Sequence, residues 1–211
     1  GRIIGYIGPN GAGKTTTIKM MCGITKPTHG NIKLNGIDIG QQPLQAKKQF
    51  GFVFDNPDAF LQLSGLEYIN FIATIYDVDV AEKNRLIKKL GDVFEMSEVL
   101  NDRIETYSHG MRQKIMIMAV LIHNPSIWLL DEPLTGLDPK SSFRLKEIMR
   151  EHANQGNTVL FSTHVLEVAE QLCDEIAIID HGQIKYHGTL ENLKQQYPNQ
   201  SLEQIFLEVT K

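Results

Sequence analysis

The run GPNGAGKT at residues 8–15 has the residue types and the spacing of a turn that binds phosphate. Backbone N–H groups in such a glycine-rich turn form a nest for an anion, and the helix that follows adds the positive end of its dipole. Lys14 can reach the β and γ phosphates of a nucleotide, and the Thr15 hydroxyl can ligate Mg²⁺. The alternative is a strand-to-helix turn that is rich in glycine and binds nothing. The residues predicted to bind phosphate are Gly8, Pro9, Asn10, Gly11, Ala12, Gly13, Lys14, Thr15 and Thr16.

A pair of carboxylates, Asp131 and Glu132, follows the apolar run 127–130. A buried strand would fix the first carboxylate in place, so Asp131 is predicted to hold Mg²⁺ together with Thr15. Glu132 is predicted to act as a general base that orients and polarises an attacking water. A solvated turn after a core strand would contain the same two residues, but their order after the phosphate-binding turn favours catalysis.

These residues need a scaffold that brings them together, and most of the chain alternates between extended and helical patterns. This alternation predicts an α/β fold with a mainly parallel sheet and helices on its faces. A helix is predicted over 16–23. The predicted strands are 3–7, 51–54, 127–130, 158–162 and 175–180, followed by a short strand over 182–188.

The segment from residue 64 to residue 123 departs from the alternation, because it contains little strand signal. Ser64 and Glu67 form the pattern of a capping box at the start of a helix. Further helices are predicted over 81–94 and 108–123, so this region is expected to be a helical insertion in the α/β core. A second capping box, Ser201 with Gln204, predicts a further helix that begins after residue 201.

Composition limits the classes of function. With 211 residues and 42% hydrophobic residues, the chain is expected to form one globular α/β domain or a domain with a small subdomain. Its net charge of −4 disfavours nucleic acid as the main partner. The two cysteines form no CxxC pair, so neither a disulfide framework nor a zinc site is indicated. No apolar run approaches the roughly 20 residues that cross a bilayer, so any crossing is expected of another polypeptide.

The run YSHGMRQK at residues 107–114 identifies a family. It stands where the nucleotide-binding domains of ABC transporters have their LSGGQ-type signature, and the chain resembles these domains along its whole length. The resemblance implies a P-loop NTPase core with an inserted helical subdomain. It also implies that Ser108, Gly110 and the dipole of their helix contact the γ-phosphate held by a second subunit. His109 and Met111 depart from the common signature, in a form similar to that of one exporter class.

Two further segments resemble elements of the same family. Residues 134–139 resemble the D-loop, which implies that Asp138 lies at a subunit interface. Residues 161–164 resemble the switch region, which implies that His164 contacts the γ-phosphate or the catalytic water. Lys14 and His164 would then stabilise the charge that moves during phosphoryl transfer.

Asp55 stands where the family usually has glutamine. It is predicted to contact Mg²⁺, either directly or through water. The alternative is that Asp55 only forms a turn before Asn-Pro.

The resemblance also implies ligands, partners and boundaries. ATP and Mg²⁺ are the expected cofactors. A second ATPase subunit, either an identical copy or a paralogue, would complete an ATP sandwich. ATP hydrolysis would power a multi-span membrane permease that exports a substrate. The loop 57–63 would receive the permease, unless Phe60 and Leu63 pack inside the subdomain.

The protein is expected in the cytoplasm, peripheral on the inner face of the cell membrane. The expected core is 1–56 with 108–211, and the expected helical subdomain is 57–107.

Two alternatives stay open. The first is a soluble ABC ATPase acting on ribosomes or DNA, which would usually carry tandem ATPase domains or long coiled-coil insertions; this sequence shows one P-loop and no such insertion. The second is a P-loop kinase or GTPase. A GTPase would show an NKxD-like motif, which this sequence lacks, and a kinase would show a phosphorylated acceptor.

The family also stacks adenine on an aromatic residue before the strand at 3–7, where this chain has none. Tyr6 is expected in the core, and a chain that began earlier is expected to bind ATP more tightly.

Overall fold

The computed structural model describes residues 1–54 and 60–210, which form an α/β architecture. Within those residues the strands are β1 (Arg2–Ile7), β2 (Lys33–Leu34), β3 (Ile37–Asp38), β4 (Phe50–Val53), β5 (Ile127–Asp131), β6 (Thr158–Thr163), β7 (Glu175–Asp180) and β8 (Gln183–Thr189). The helices are α1 (Lys14–Met21), α2 (Pro43–Lys47), α3 (Gly65–Ile75), α4 (Val80–Phe94), α5 (His109–Leu121), α6 (Pro139–Asn154), α7 (Leu166–Leu172), α8 (Leu190–Gln196) and α9 (Leu202–Val209).

The main sheet confirms the predicted parallel arrangement. Its strand order is β4-β5-β6-β1-β7-β8, and only the last pair, β7 with β8, is antiparallel. Every residue of β5 is buried, as expected for a strand that helices cover on both faces. The register pairs Ile7 with Thr163 and Asp131 with Ser162. The carboxyl ends of β1, β5 and β6 therefore meet at one edge of the sheet, where ligands of such folds bind.

The helices α3 and α4 form the insertion between β4 and α5. Both pack against α5, and α4 also packs against α6. The predicted capping box is present at the start of α3, where the Ser64 hydroxyl accepts from Glu67 N and the Glu67 carboxylate accepts from Ser64 N. The buried side chains of Ile69 and Phe94 belong to the same hydrophobic core as Leu130 of β5. The insertion is therefore held on the sheet by shared apolar packing.

A small hairpin of β2 and β3 is a feature that the sequence reading missed. Each strand has two residues, too few to show an alternating pattern. Asn35 and Gly36 join them with φ values of 49° and 80°, the backbone that a type I′ turn requires. The Asn-Gly pair was the available signal. Helix α2, with Pro43 at its start, was also not predicted.

Helix boundaries differ from the predictions by at most two residues. α1 begins at Lys14 and not at Thr16, because Gly13, with φ of 106°, is its N-cap inside the phosphate-binding turn. α5 ends at Leu121, two residues before the predicted end. The second predicted capping box, Ser201 with Gln204, is present at the start of α9. Among the described helices, none is both long enough and apolar enough to cross a membrane.

Candidate functional site

The phosphate-binding turn connects β1 to α1 and needs glycine at specific places. Gly11 and Gly13 have φ values of 80° and 106°, a region that residues with a Cβ rarely adopt. A Cβ on Gly8 would overlap the carbonyl oxygen of Ile179 in β7. The glycine pattern at residues 8–15 is therefore explained by backbone geometry and by the close approach of β7.

Three hydrogen bonds hold the phosphate-binding turn in place. Gly182 N, in the turn between β7 and β8, donates to Ala12 O at 2.9 Å. Tyr6 is buried in β1, as predicted, and its hydroxyl donates to Thr17 Oγ1 at 3.2 Å. Thr17 Oγ1 in turn donates to Gly13 O at 2.9 Å. The backbone of the turn is thus held by Thr17 of α1, which Tyr6 of β1 supports, and by the turn between β7 and β8.

Lys14 lies inside the turn. Its Nζ donates to Gly8 O at 2.8 Å and to Pro9 O at 3.2 Å, and only 8% of the residue is exposed. No side chain in the described part of the protein caps α1, so the N–H groups of its first turn remain for an anion. Thr15 is half-buried and Thr16 is exposed. The turn therefore presents an ammonium, a hydroxyl and backbone donors at one place.

Asp131 ends β5 as a buried carboxylate, only 1% exposed. Ser162 Oγ donates to its Oδ1 at 2.6 Å, across the pairing of β5 with β6. Its Oδ2 is buried and has no hydrogen-bond partner among the described residues. A buried carboxylate oxygen without a donor is costly, and a cation would satisfy it.

Glu132 and His164 face each other at the same edge of the sheet. His164 Nδ1 lies 3.0 Å from Glu132 Oε2. Glu132 has a φ of 49°, which costs a non-glycine residue about 1–2 kcal/mol. Its backbone N donates to Ser162 Oγ at 3.0 Å. Backbone strain that the surroundings maintain is a frequent property of functional positions.

The predicted signature segment starts helix α5. Ser108 is its N-cap and accepts from Met111 N at 3.3 Å, which leaves the hydroxyl proton free to donate. Arg112 anchors the helix to the preceding turn, because its Nε donates to Ile104 O at 3.2 Å and its Nη2 donates to Glu105 O at 2.9 Å. Met116, Ile117 and Met118 are buried in the core.

The loop from Glu132 to Asp138 runs beside the start of α5. A Cβ on Gly110 would lie 2.6 Å from Gly136 O, so the two segments are in close contact. Asp138 caps α6 by accepting from Ser141 N at 2.8 Å. Lys114 and then Ser141 donate to this carboxylate, and they hold the pKa of Asp138 well below its usual range.

Sequence reasoning missed two of these polar groups, Ser162 and Lys114. The only signal for Ser162 was a hydroxyl in an apolar strand two residues before His164. Lys114 resembled an ordinary helical surface residue, yet it is 9% exposed. Asp55, with residues 56–59, lies outside the described residues.

The described residues match neither of two other kinds of site, a reactive cysteine and a cluster of metal ligands. Cys22 and Cys173 are free and buried. Burial, followed by the nearby charge of Asp131, raises the pKa of the Cys22 thiol to about 12, so this thiol stays protonated near neutral pH. Within residues 1–54 and 60–210, no three His, Cys, Asp or Glu side chains are grouped to hold a metal. A cation at Asp131 would therefore need other ligands.

Comparison with known proteins gives consistent matches. A family model described as "ABC transporter" matches residues 1–135. The chain is 35% identical over 208 residues to the ABC transporter ATP-binding protein NatA of Bacillus subtilis (strain 168), covering 98% of this chain and 85% of the relative. It is 35% identical over 193 residues to the linearmycin resistance ATP-binding protein LnrL of the same organism, covering 92% and 62%.

A solved structure, described as the ATP binding subunit of an ABC transporter, has a TM-score of 0.95 to this chain. The two are 34% identical, and the match covers 100% of this chain and 88% of that one.

Proposed function

Because the chain belongs to the ABC transporter ATP-binding proteins and is an ATPase domain of that family, we propose that its hydrolysis of ATP powers export through a separate membrane subunit. The observation that carries the proposal is the contact of 3.0 Å between His164 Nδ1 and Glu132 Oε2, at the sheet edge that also holds the phosphate-binding turn.

The phosphate-binding turn would hold the triphosphate. Backbone N–H groups of the turn and of the first turn of α1 would donate to the phosphate oxygens, and the α1 dipole favours the charge of those oxygens. Pro9 has no N–H and Ala12 N donates to Pro9 O at 3.1 Å, so these two residues would shape the turn and not donate. The Lys14 ammonium, now bonded to Gly8 O and Pro9 O, exchanges these carbonyls for the β and γ phosphates. Lys14 then stabilises charge during transfer.

The residues present fit a Mg²⁺ ion. The unpartnered and buried Oδ2 of Asp131 and the hydroxyl of Thr15 are oxygen donors, which Mg²⁺ prefers. Since Mg²⁺ usually completes its shell with substrate phosphates and water, two protein ligands suffice. The ion, when bound, neutralises charge on the phosphate oxygens. Asp55 is proposed as a further contact to the ion.

Glu132 and His164 would act on the water. The Glu132 carboxylate accepts a proton from the water as the water oxygen bonds to the γ-phosphorus, and the bond from that phosphorus to the β–γ bridging oxygen breaks. In this proposal His164 holds the Glu132 carboxylate by its contact at 3.0 Å and also contacts the γ-phosphate or the catalytic water. ADP and phosphate are the products.

A second ATPase subunit, identical or paralogous, is proposed to complete each site. The Ser108 hydroxyl proton, the Gly110 backbone and the N-terminus of α5 would donate to the γ-phosphate bound by the other subunit. ATP then closes the pair and hydrolysis reopens it, as a two-state switch. In this proposal residues 57–107 form the helical subdomain, and 1–56 with 108–211 form the core.

A multi-span permease is proposed to bind the exposed apolar side chains of the insertion. Phe60, Phe71 and Ile75 are exposed, and the ring centroids of Phe60 and Phe71 lie 5.8 Å apart. Exposed apolar groups that cluster mark interaction sites. Export is supported by the form of the signature segment and by the similarity to a resistance protein. The subunit would then lie in the cytoplasm, peripheral on the inner face of the cell membrane, with no role for nucleic acid.

The test is the substitution Glu132→Gln, which keeps the shape of the side chain and removes its basicity. ATP binding should persist, phosphate release should fall by roughly 10²-fold or more, and an ATP-bound dimer should accumulate in size-exclusion chromatography. Glu147→Gln, at an exposed position of α6 that pairs with Arg144, is the matched control and should retain activity. Hydrolysis by Glu132→Gln at the wild-type rate would contradict the proposal.

A further inference from the structure

Lys114 is a buried cation in the second turn of α5. The residue is 9% exposed, and its Nζ lies 2.8 Å from Asp138 Oδ2. Lysine is almost never this buried unless it is paired, because an unpaired ammonium away from water is costly. The Asp138 side chain is 46% exposed, so the pair joins a buried ammonium to a carboxylate that solvent reaches. Lys114 therefore depends on Asp138 for the charge partner that its burial requires.

Asp138 is held by donors from two elements. Oδ1 accepts from Ser141 N at 2.8 Å, and Oδ2 accepts from Ser141 Oγ at 2.7 Å and from Lys114 Nζ. The same carboxylate thus caps α6 and binds α5. It fixes the distance between the starts of these two helices, with the loop 132–138 between them.

Hydrogen-bonded turns within that loop make the position of Glu132 depend on the position of Asp138. Leu137 N donates to Leu134 O at 3.3 Å, and Thr135 N donates to Glu132 O at 3.1 Å. Gln113, the neighbour of Lys114, is buried and its Nε2 lies 3.5 Å from Pro133 O. The loop is therefore in contact with α5 at Pro133, Gly136 and Asp138.

We propose that Lys114 is a positioning residue for hydrolysis: its ion pair with Asp138 sets the loop 132–138 against α5 and so places the Glu132 carboxylate. This inference rests on the function proposed above. Lys114 does not itself meet the nucleotide. Its loss moves Glu132, so it lowers kcat and leaves ATP binding at residues 8–16 unchanged.

The test compares purified variants of the full chain by phosphate release and by equilibrium ATP binding. Lys114→Met keeps the length and apolar packing of the stem and removes the charge. It should lower kcat by roughly tenfold to a hundredfold, with ATP affinity within about twofold of wild type. Lys114→Arg should restore most of kcat, which a mere loss of stability would not explain. Lys140→Met, which removes an exposed pair with Glu95, is the control and should retain kcat.

Asp138→Asn is the second arm, since asparagine keeps the helix cap but not the charge. It should give the same loss of kcat, and the double variant of Lys114→Met with Asp138→Asn should lose no more than either single one. A kcat within about twofold of wild type in folded Lys114→Met or Asp138→Asn would overturn the inference, as would an equal loss of ATP affinity. Wild-type protein without ATPase activity would instead contradict the proposed function.

Discussion

Ser162 Oγ donates to Asp131 Oδ1 at 2.6 Å, and the same hydroxyl accepts from the backbone N of Glu132. One buried side chain on β6 therefore orients both Asp131, which ends β5, and Glu132, which follows it. The parallel register makes this possible, because Ser162 lies directly opposite Asp131.

Ser162→Ala should impair hydrolysis and stability together. The change leaves Asp131 Oδ1 and Glu132 N without their partner, which should cost about 1–3 kcal/mol of unfolding free energy and roughly tenfold or more in kcat. Phosphate release and thermal unfolding measure the two effects. Ser126→Ala is the matched control: Ser126 Oγ bonds Gln49 O at 3.1 Å just before the start of β5. It should not change kcat, and equal losses in both variants would remove any special role for Ser162.

Gly110→Ala should disturb the contact between α5 and the loop 132–138. The added methyl group would lie 2.6 Å from Gly136 O, so either the helix start or the loop must move. We expect kcat to fall by roughly tenfold or more. Gly40→Ala is a fair comparison, because its added methyl group would meet only the flexible side chain of Asp38. Unchanged turnover in Gly110→Ala would show that this close approach has no functional consequence.

Acid should destabilise the protein through His152. This side chain is buried and stacks on Trp128 with ring centroids 3.9 Å apart, and burial lowers its pKa to about 4. The unfolded chain takes up the proton near pH 6.5 and the folded chain near pH 4, so the stability present above pH 6.5 is lost as the pH falls through that window. His152→Phe keeps a ring on Trp128 and removes the titration.

The dependence of unfolding free energy on pH, measured by urea titration, should be shallower in His152→Phe between pH 6.5 and 4. His123, whose pKa burial also lowers to about 4, accounts for a remaining slope. His29→Gln, at an exposed position, is the control and should behave as wild type. An unchanged slope in His152→Phe would contradict the assignment.

Ser64→Ala should lower the stability of the helical insertion formed by α3 and α4. It removes the hydroxyl that accepts from Glu67 N at 3.1 Å, and loss of such a cap costs about 1 kcal/mol. The expected readout is a lower thermal midpoint with little change in kcat, because α3 carries no proposed catalytic group. A loss of kcat without a change in stability would mean that the start of α3 takes part in turnover.

The sequence alone predicted those features of the fold and of the candidate site that depend on residues close together in the chain. Gly8, Gly11 and Gly13 are required by backbone geometry, and the capping boxes at Ser64 and Ser201 are local hydrogen-bond patterns, so all were readable. Ser162 and Lys114 were missed, because their importance depends on partners 31 and 24 residues distant, which only the fold brings together. The hairpin of β2 and β3 was missed because two-residue strands carry no periodic signal.

The position of β1 in the sheet has a consequence for synthesis of the chain. β1 lies between β6 and β7, with Ile7 opposite Thr163 and Ile178, and the turn after it is bonded to Gly182. The strand that leads into the phosphate-binding turn is thus made before β6 and β7, the two strands that pair with it, and stays without them until both are made. Such distant pairings slow folding and leave an apolar strand unpaired while the rest of the domain emerges from the ribosome.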